Sequence, residues 1–379
     1  MEYIIETRNV GEAHAGAKAP DDIVSIARKR GMGVFTIPVL PNKTSRIYIL
    51  IWLFITCTKL WARVFLTVKN GDIVVWQHPA YGIRYANYFI PWIKKRKKIT
   101  FVALIHDLES LREGIGSYDS KDQSRAKIAD NSLLSKFDYV ISHNKKMTAY
   151  LLEQGFESDK LINLGVFDYL DEGTPNLISR INDKSVIIAG NLSREKSAYI
   201  YDLKNLNVDL RLYGMFFEGD ENDSAYKGTF RPDQLIEHLE GAFGLVWDGN
   251  SLEECAGNTG QYLKYNNPHK TSLYLAAQLP VIIWSQAALA DFVEENGVGI
   301  VIDDLNHLEV TLAKVTDDQY TKMLDNIEKI GQVKLRPFSL WMLAPAQNLE
   351  DIYEEITRDM GSSGLRIETY KLVDDVFSV

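Results

Sequence analysis

Short apolar runs alternate with helix-length amphipathic segments along the first half of the chain, the order expected of βαβ units building a parallel sheet. The predicted strands are Tyr3–Thr7, Gly33–Pro38, Asp72–Gln77, Thr100–Ile105 and Tyr139–Ser142. Helices are predicted between them over Asp21–Arg30, Ser45–Val68, Ala86–Lys95 and Lys145–Gln154. The first, third and fourth strands run out into polar or small residues, Arg8-Asn9, Gln77-His78-Pro79 and His106-Asp107. Ligands of open parallel sheets sit beyond the carboxyl ends of strands, so chemistry is expected there.

A second alternating series follows the turn-rich connection Asp171-Glu-Gly-Thr-Pro175, whose composition suits a linker. Its strands are predicted over Ser185–Ala189, Val208–Tyr213, Gly244–Trp247, Val281–Trp284 and Gly299–Ile302, with helices near Pro232–Leu239, Pro268–Gln278 and Leu289–Glu295. Both halves read as doubly wound α/β units. The boundaries expected are 1–170 and 171–336, then an amphipathic stretch over 337–358 crossing back to the first half, and a linker and tail over 359–379 around Gly361-Ser-Ser-Gly364. Two such units suit GT-B transferases, periplasmic-type binding proteins and dehydrogenase-like enzymes, so architecture alone names no activity.

Length agrees with this division, because 379 residues exceed what one core usually organises. The net charge of -9 argues against general nucleic-acid binding, which needs a basic surface to displace counterions. Two isolated cysteines, Cys57 and Cys255, make neither a disulfide framework nor a paired-cysteine metal site, and His78 and His143 have no spaced partner. No secretory signal is read at Met1-Glu2-Tyr3, and a cytoplasmic location is expected. The most apolar stretch, Ile47–Thr58, is 12 residues long before Lys59 and Arg63 interrupt it. A bilayer span takes roughly 20 residues, so a helix that is buried or lies on a surface is expected instead.

Four segments carry candidate chemistry. In Asn266-Asn-Pro-His-Lys-Thr-Ser272 a proline opens a helix whose first-turn amides, with Lys270, Thr271 and Ser272, suit a diphosphate; an ordinary capped helix reads the same way. In Ile188-Ala-Gly-Asn-Leu-Ser-Arg194, Gly190 lets the backbone approach a ligand and Arg194 offers a planar fork to phosphate oxygens, unless it is a surface arginine on a tight turn. In Gly228-Thr-Phe-Arg-Pro-Asp233, a short strand entering a helix, Phe230 can stack on a base beside Arg231 or belong to the core. In the first half, Phe101–Arg112 delivers His106, Asp107 and Glu109 to a strand end where a general base for an acceptor hydroxyl is wanted, although an aspartate there also caps helices. Three signals are set aside: Trp247-Asp248 occurs once and is no propeller repeat, the acidic Glu218–Asp223 lacks calcium-loop spacing, and Gly11–Gly16 is not the dinucleotide fingerprint.

Together these segments, with Phe137–Asn144, Gly244–Trp247 and Pro280-Val-Ile282, resemble the bacterial β-1,6-galactofuranosyltransferase-like family and the related third glucosyltransferase of the accessory-Sec adhesin system, from about Tyr3 to Arg358. The resemblance implies a GT-B fold, with residues 1–170 on the acceptor side and 171–336 holding a UDP-sugar, and no metal requirement. It carries donor contacts onto Arg194, Phe230 and Lys270, in the company of Gly190, Asn191, Arg231, Asn267, Thr271 and Ser272. Two departures stand out: Gln278 replaces a glycine common before Leu-Pro, and Phe230 replaces a tyrosine. Tyr274 stands where retaining GT-B enzymes carry the second glutamate of a pair, so inversion is expected, with Asp107 as base and His106 and Glu109 as competitors.

The expected activity is transfer of galactofuranose or glucose to a glycan or lipid-linked saccharide in cell-surface assembly. Glucosylation of glycans on a serine-rich adhesin, or nucleotide-sugar binding without turnover, are the alternatives. Trp92 and the basic run Lys94–Lys98 suit peripheral attachment to the inner, anionic face of a membrane, or else form a solvated helix end. A homo-oligomer is left open.

Overall fold

The computed structural model describes residues 1–8, 15–38, 45–112, 130–170, 180–220 and 222–334. The Asp171–Pro175 connection, residues 11–14 of the Gly11–Gly16 segment, the 337–358 stretch and the 359–379 tail lie outside the described residues.

The first half carries β1 (Glu2–Arg8), α1 (Ala15–Lys29), β2 (Gly33–Pro38), α2 (Arg46–Thr67), β3 (Ile73–His78), α3 (Ile83–Lys94), β4 (Thr100–Ile105), α4 (Glu109–Arg112), β5 (Tyr139–Ser142) and β6 (Leu161–Asn163). Its strands form one sheet in the order β2-β1-β3-β4-β5-β6, every pair parallel. Fully apolar strands such as Phe101–Ile105 are buried on both faces, as helices on each side of a parallel sheet require. One face packs Ile23, Val24 and Ala27 of α1 against Ile4, Val75 and Leu104. The other packs Trp61 and Val64 of α2 and Ile90 of α3 against Trp76, Phe101 and Ile105.

The second half carries β7 (Val186–Asn191), β8 (Leu210–Met215), β9 (Tyr226–Gly228), β10 (Phe243–Val246), β11 (Val281–Trp284) and β12 (Gly299–Ile302). Their order is β12-β11-β10-β7-β8-β9, again with all pairs parallel. The chain leaves β7 towards β8 on one side and returns to β10 on the other. The space between the ends of β7 and β10 is therefore the topological switch point, where open sheets of this kind bind ligands.

Five predicted strands, Gly33–Pro38, Thr100–Ile105, Tyr139–Ser142, Val281–Trp284 and Gly299–Ile302, coincide with those observed. The predicted Pro232–Leu239 helix shrinks to Leu235–His238, and an unpredicted 18-residue helix covers Asp317–Lys334. Helix α2 spans 22 residues, well beyond the apolar run, because Lys59 and Arg63 occupy exposed positions and interrupt the composition without interrupting the helix. Over Ile47–Thr67 it is long and apolar enough to cross a membrane, yet Cys57, Leu60, Trp61 and Val64 are buried in the core of the first half.

Candidate functional site

At the switch point, Lys270 lies on the second residue of the helix His269–Ala276, which starts directly after Pro268. Its ammonium donates to Asp248 Oδ1 at 2.8 Å and to the carbonyl of Trp247 at 3.3 Å, just past the end of β10. The same side chain crosses the end of β7, where a Cβ added to Gly190 would come within 3.3 Å of Lys270 Cε. Gly190 and Lys270, singled out separately in the sequence, are thus in contact. Asp248, the buried partner of that lysine, was missed: its Trp-Asp pair was weighed only as a repeat signature.

The lip continues without side chains. Gly214 of β8 pairs with Gly190 at φ +151°, and a Cβ there would sit 1.8 Å from the Gly190 carbonyl oxygen. No other residue permits this approach of the two strand ends. Asn191 uses Oδ1 to accept from the backbone of Ser193, closing the turn into the next helix.

Arg194 starts that helix and stands on the β8 side of the turn, away from the β10 side where Lys270 is held. Its guanidinium stacks 3.9 Å above the Tyr201 ring, and Glu218 accepts from its backbone amide at 2.8 Å. The structure therefore gives the two cations separate partners, Tyr201 and Glu218 for Arg194 and Asp248 for Lys270. Phe230 is half-buried, stacked 4.1 Å from the His238 ring and tilted against Tyr213, while the exposed Arg231 pairs with Asp233 at 2.9 Å. The structure does not bring this pair to Lys270.

Three further residues of the sequence proposal serve the junction of the halves. Asn267 donates to the carbonyls of His143 and Gly165 and accepts from Asn144 Nδ2 at 2.7 Å, and its backbone amide donates to His143 Nδ1. Ser272 Oγ donates to the Phe167 carbonyl, and Thr271 is fully buried. The Asn267 and Ser272 side chains bind the late helix to the first half and its exit, which places Lys270, while the buried Thr271 hydroxyl has no hydrogen-bond partner.

In the first half, β4 runs out into His106 and Asp107. Burial raises the Asp107 carboxyl above the usual carboxylate range, against the pull of Arg112, the Tyr262 hydroxyl and Lys196. Tyr262 comes from the second half and Lys196 from the helix begun by Arg194, so both halves meet at this carboxylate. Glu109 is held bidentately by Arg112, both oxygens at 2.8 Å. His106 Nε2 lies 2.8 Å from Gln77 Oε1, and its ring stacks on Phe167. Burial, reinforced by His143, His269 and His78, pushes His106 down to about 3, which makes it a poor base. Of the three candidates Asp107 alone combines a raised basicity with a carboxylate not held in a two-oxygen ion pair.

His143 is likewise pushed down to about 4 by burial and serves as the acceptor of the Asn267 amide. Tyr274, at the position of the second glutamate, is fully buried, and its hydroxyl accepts from the Ala189 amide to hold β7. Among the described residues, no three His, Cys, Asp or Glu side chains gather as a metal site would need.

Two all-parallel sheets, the second with a lysine held at its switch point, describe a GT-B glycosyltransferase, and the solved structures agree on the fold. Sucrose-phosphate synthase from Thermosynechococcus elongatus superposes with a TM-score of 0.62 at 10% identity, covering 95% of this chain and 100% of that one. Anabaena Alr3699/HepE, solved with UDP and glucose, gives 0.55 at 11% identity, covering 95% and 99%. In sequence, the chain is 33% identical over 364 residues to the beta-1,6-galactofuranosyltransferase WbbI of Escherichia coli K12, covering 94% of this chain and 99% of the relative. Glucosyltransferase 3 of Streptococcus gordonii is 26% identical over 71% of this chain and 76% of its own length. The Glucosyltransferase 3-like N-terminal domain matches residues 1–166 and the corresponding C-terminal domain residues 186–336, so the chain belongs to the Glucosyltransferase 3-like family and is a hexosyltransferase.

Proposed function

We propose that this enzyme transfers galactofuranose or glucose from a UDP-sugar to a saccharide acceptor, with inversion, at the cytoplasmic face of a membrane. The observation that carries the reading is Lys270 laid across Gly190 at the switch point and paired with Asp248. A diphosphate arriving there exchanges the Asp248 partner for its own oxygens, and the ammonium then neutralises charge developing on the leaving group. Asp107 takes the proton of the attacking hydroxyl, a task suited to a carboxylate of raised basicity. The tyrosine at position 274 in place of a second glutamate supports single displacement. The charge on Lys270 fills the role a metal would take, so transfer is expected to survive chelation by EDTA.

The WbbI relationship favours UDP-galactofuranose as the first donor to test, UDP-glucose following from the streptococcal relatives, with a lipid-linked saccharide as acceptor. Incubation with a panel of UDP-sugars and candidate glycolipid acceptors is expected to give transfer, lost by about 10²-fold or more in Asp107→Asn. Binding without hydrolysis or transfer of any donor would mark the chain as a non-catalytic partner instead.

A further inference from the structure

We infer that the first half docks on an anionic lipid surface through the outer face of α2, with the overhanging start of this helix inserted among the lipids and its flanking cations on the headgroups. The inference deepens the lipid-linked acceptor reading above and rests on it for its biological purpose.

The geometry comes from one contact. Cys57, midway along α2, packs against Gly82 at the start of α3 so closely that a Cβ on Gly82 would meet its sulfur at 2.5 Å. The two helices continue side by side from there, with Trp61 against Phe89 and Phe65 against Trp92. Residues 46–56 therefore stand past the first turn of α3, an overhang of roughly 16 Å at 1.5 Å per residue. Because α2 follows β2, this overhang lies at the carboxyl end of the sheet, the end that also carries Asp107.

The overhang is apolar on its open side. Ile47, Leu50, Ile51, Phe54 and Ile55, spaced as one helical face, are between 44% and 71% exposed. Tyr48 on the overhang and Tyr81 just before α3 are also exposed, and tyrosines favour the boundary between lipid and water. The buried Trp61 and Val64 keep the rest of α2 on its sheet, so the helix lies along a surface and does not span it.

Charge identifies the surface. Between Ile23 and His106 the sequence holds fourteen lysines and arginines and a single carboxylate, Asp72, in a chain of net charge -9. Asp72 is buried and bonded to the terminal ammonium at 2.7 Å. Within the Lys94–Lys98 run, Lys94 pairs with Asp138 and Lys97 caps α2 through the carbonyls of Phe65 and Val68. Lys95, Arg96 and Lys98 remain exposed, joined by Lys59, Arg63 and Arg84. Such a field attracts anionic headgroups and repels a second copy of itself.

The test is flotation of the full-length protein with vesicles of phosphatidylglycerol and phosphatidylethanolamine, against vesicles of phosphatidylcholine alone. Wild type is expected to float with the anionic vesicles, and Ile51→Ser/Phe54→Ser to lose about tenfold in partition at unchanged melting temperature. Equal flotation with both vesicle types, no flotation, or a double variant that floats like wild type would each overturn the inference. So would a dimer in light scattering that the double variant dissolves, or a melting temperature lowered by the substitutions, which would mean that the chain itself covers the stripe. Donor hydrolysis on the same preparations reports on the transferase reading separately.

Discussion

The chemistry hangs on a few side chains whose environments differ although their types do not. Asp107 and Glu109 are both carboxylates two residues apart, yet burial raises the first while Arg112 clamps the second. A base must be ionised to act, so the acid limb of kcat/KM is expected above the ordinary carboxylate range, with activity falling as pH falls through the raised value. The stability sign runs the other way: a carboxyl whose folded-state value is raised favours the fold while protonated, and that contribution is lost as pH rises past it. Asp107→Asn is therefore expected to abolish transfer without lowering the melting temperature at neutral pH, and a pH–rate profile with a melting curve checks both. His106 and Asp107 were visible in the sequence because polar residues at a strand end stand out from an apolar run. Asp248 was not, because the meaning of an aspartate after β10 depends on the lysine that a later helix folds back onto it.

Elements were legible where one periodicity covers them. After Thr100, the strand Thr100–Ile105 is apolar and buried on both faces, so its ends could be read directly. The three-residue strands Leu161–Asn163 and Tyr226–Gly228 are too short to show a period, and the sheet alone defines them. The Gln278 departure shows what local sequence does to a helix end. Gln278 takes φ 58°, and the Leu279 amide donates back to the Tyr274 carbonyl at 2.8 Å, the left-handed cap that usually carries glycine. A side chain there costs about 1–2 kcal/mol, partly offset by the entropy a glycine loses on folding. Gln278→Gly is expected to stabilise the protein by about 0.5–1 kcal/mol in urea denaturation; a loss of stability would contradict this account of the cap.

At the scale of the molecule, two sheets become one enzyme through the joint built around Asn267. Asparagine at that position was read as a ligand contact because it opens a candidate anion-binding helix, and only the tertiary fold shows it satisfying two carbonyls and an amide from the other side. Asn267→Ala leaves those groups buried and unpaired, which costs about 1–3 kcal/mol for each group that water does not reach. A loss on the order of 3 kcal/mol in denaturant unfolding is expected, together with weaker donor binding, since the joint places Lys270.

Calorimetric titration of UDP into wild type, Asp107→Asn and Lys270→Ala separates the donor seat from the base. The account predicts wild-type affinity in Asp107→Asn and at least about tenfold weaker binding in Lys270→Ala, whose ammonium would face the diphosphate. Undiminished UDP affinity without the ammonium at position 270 would contradict it.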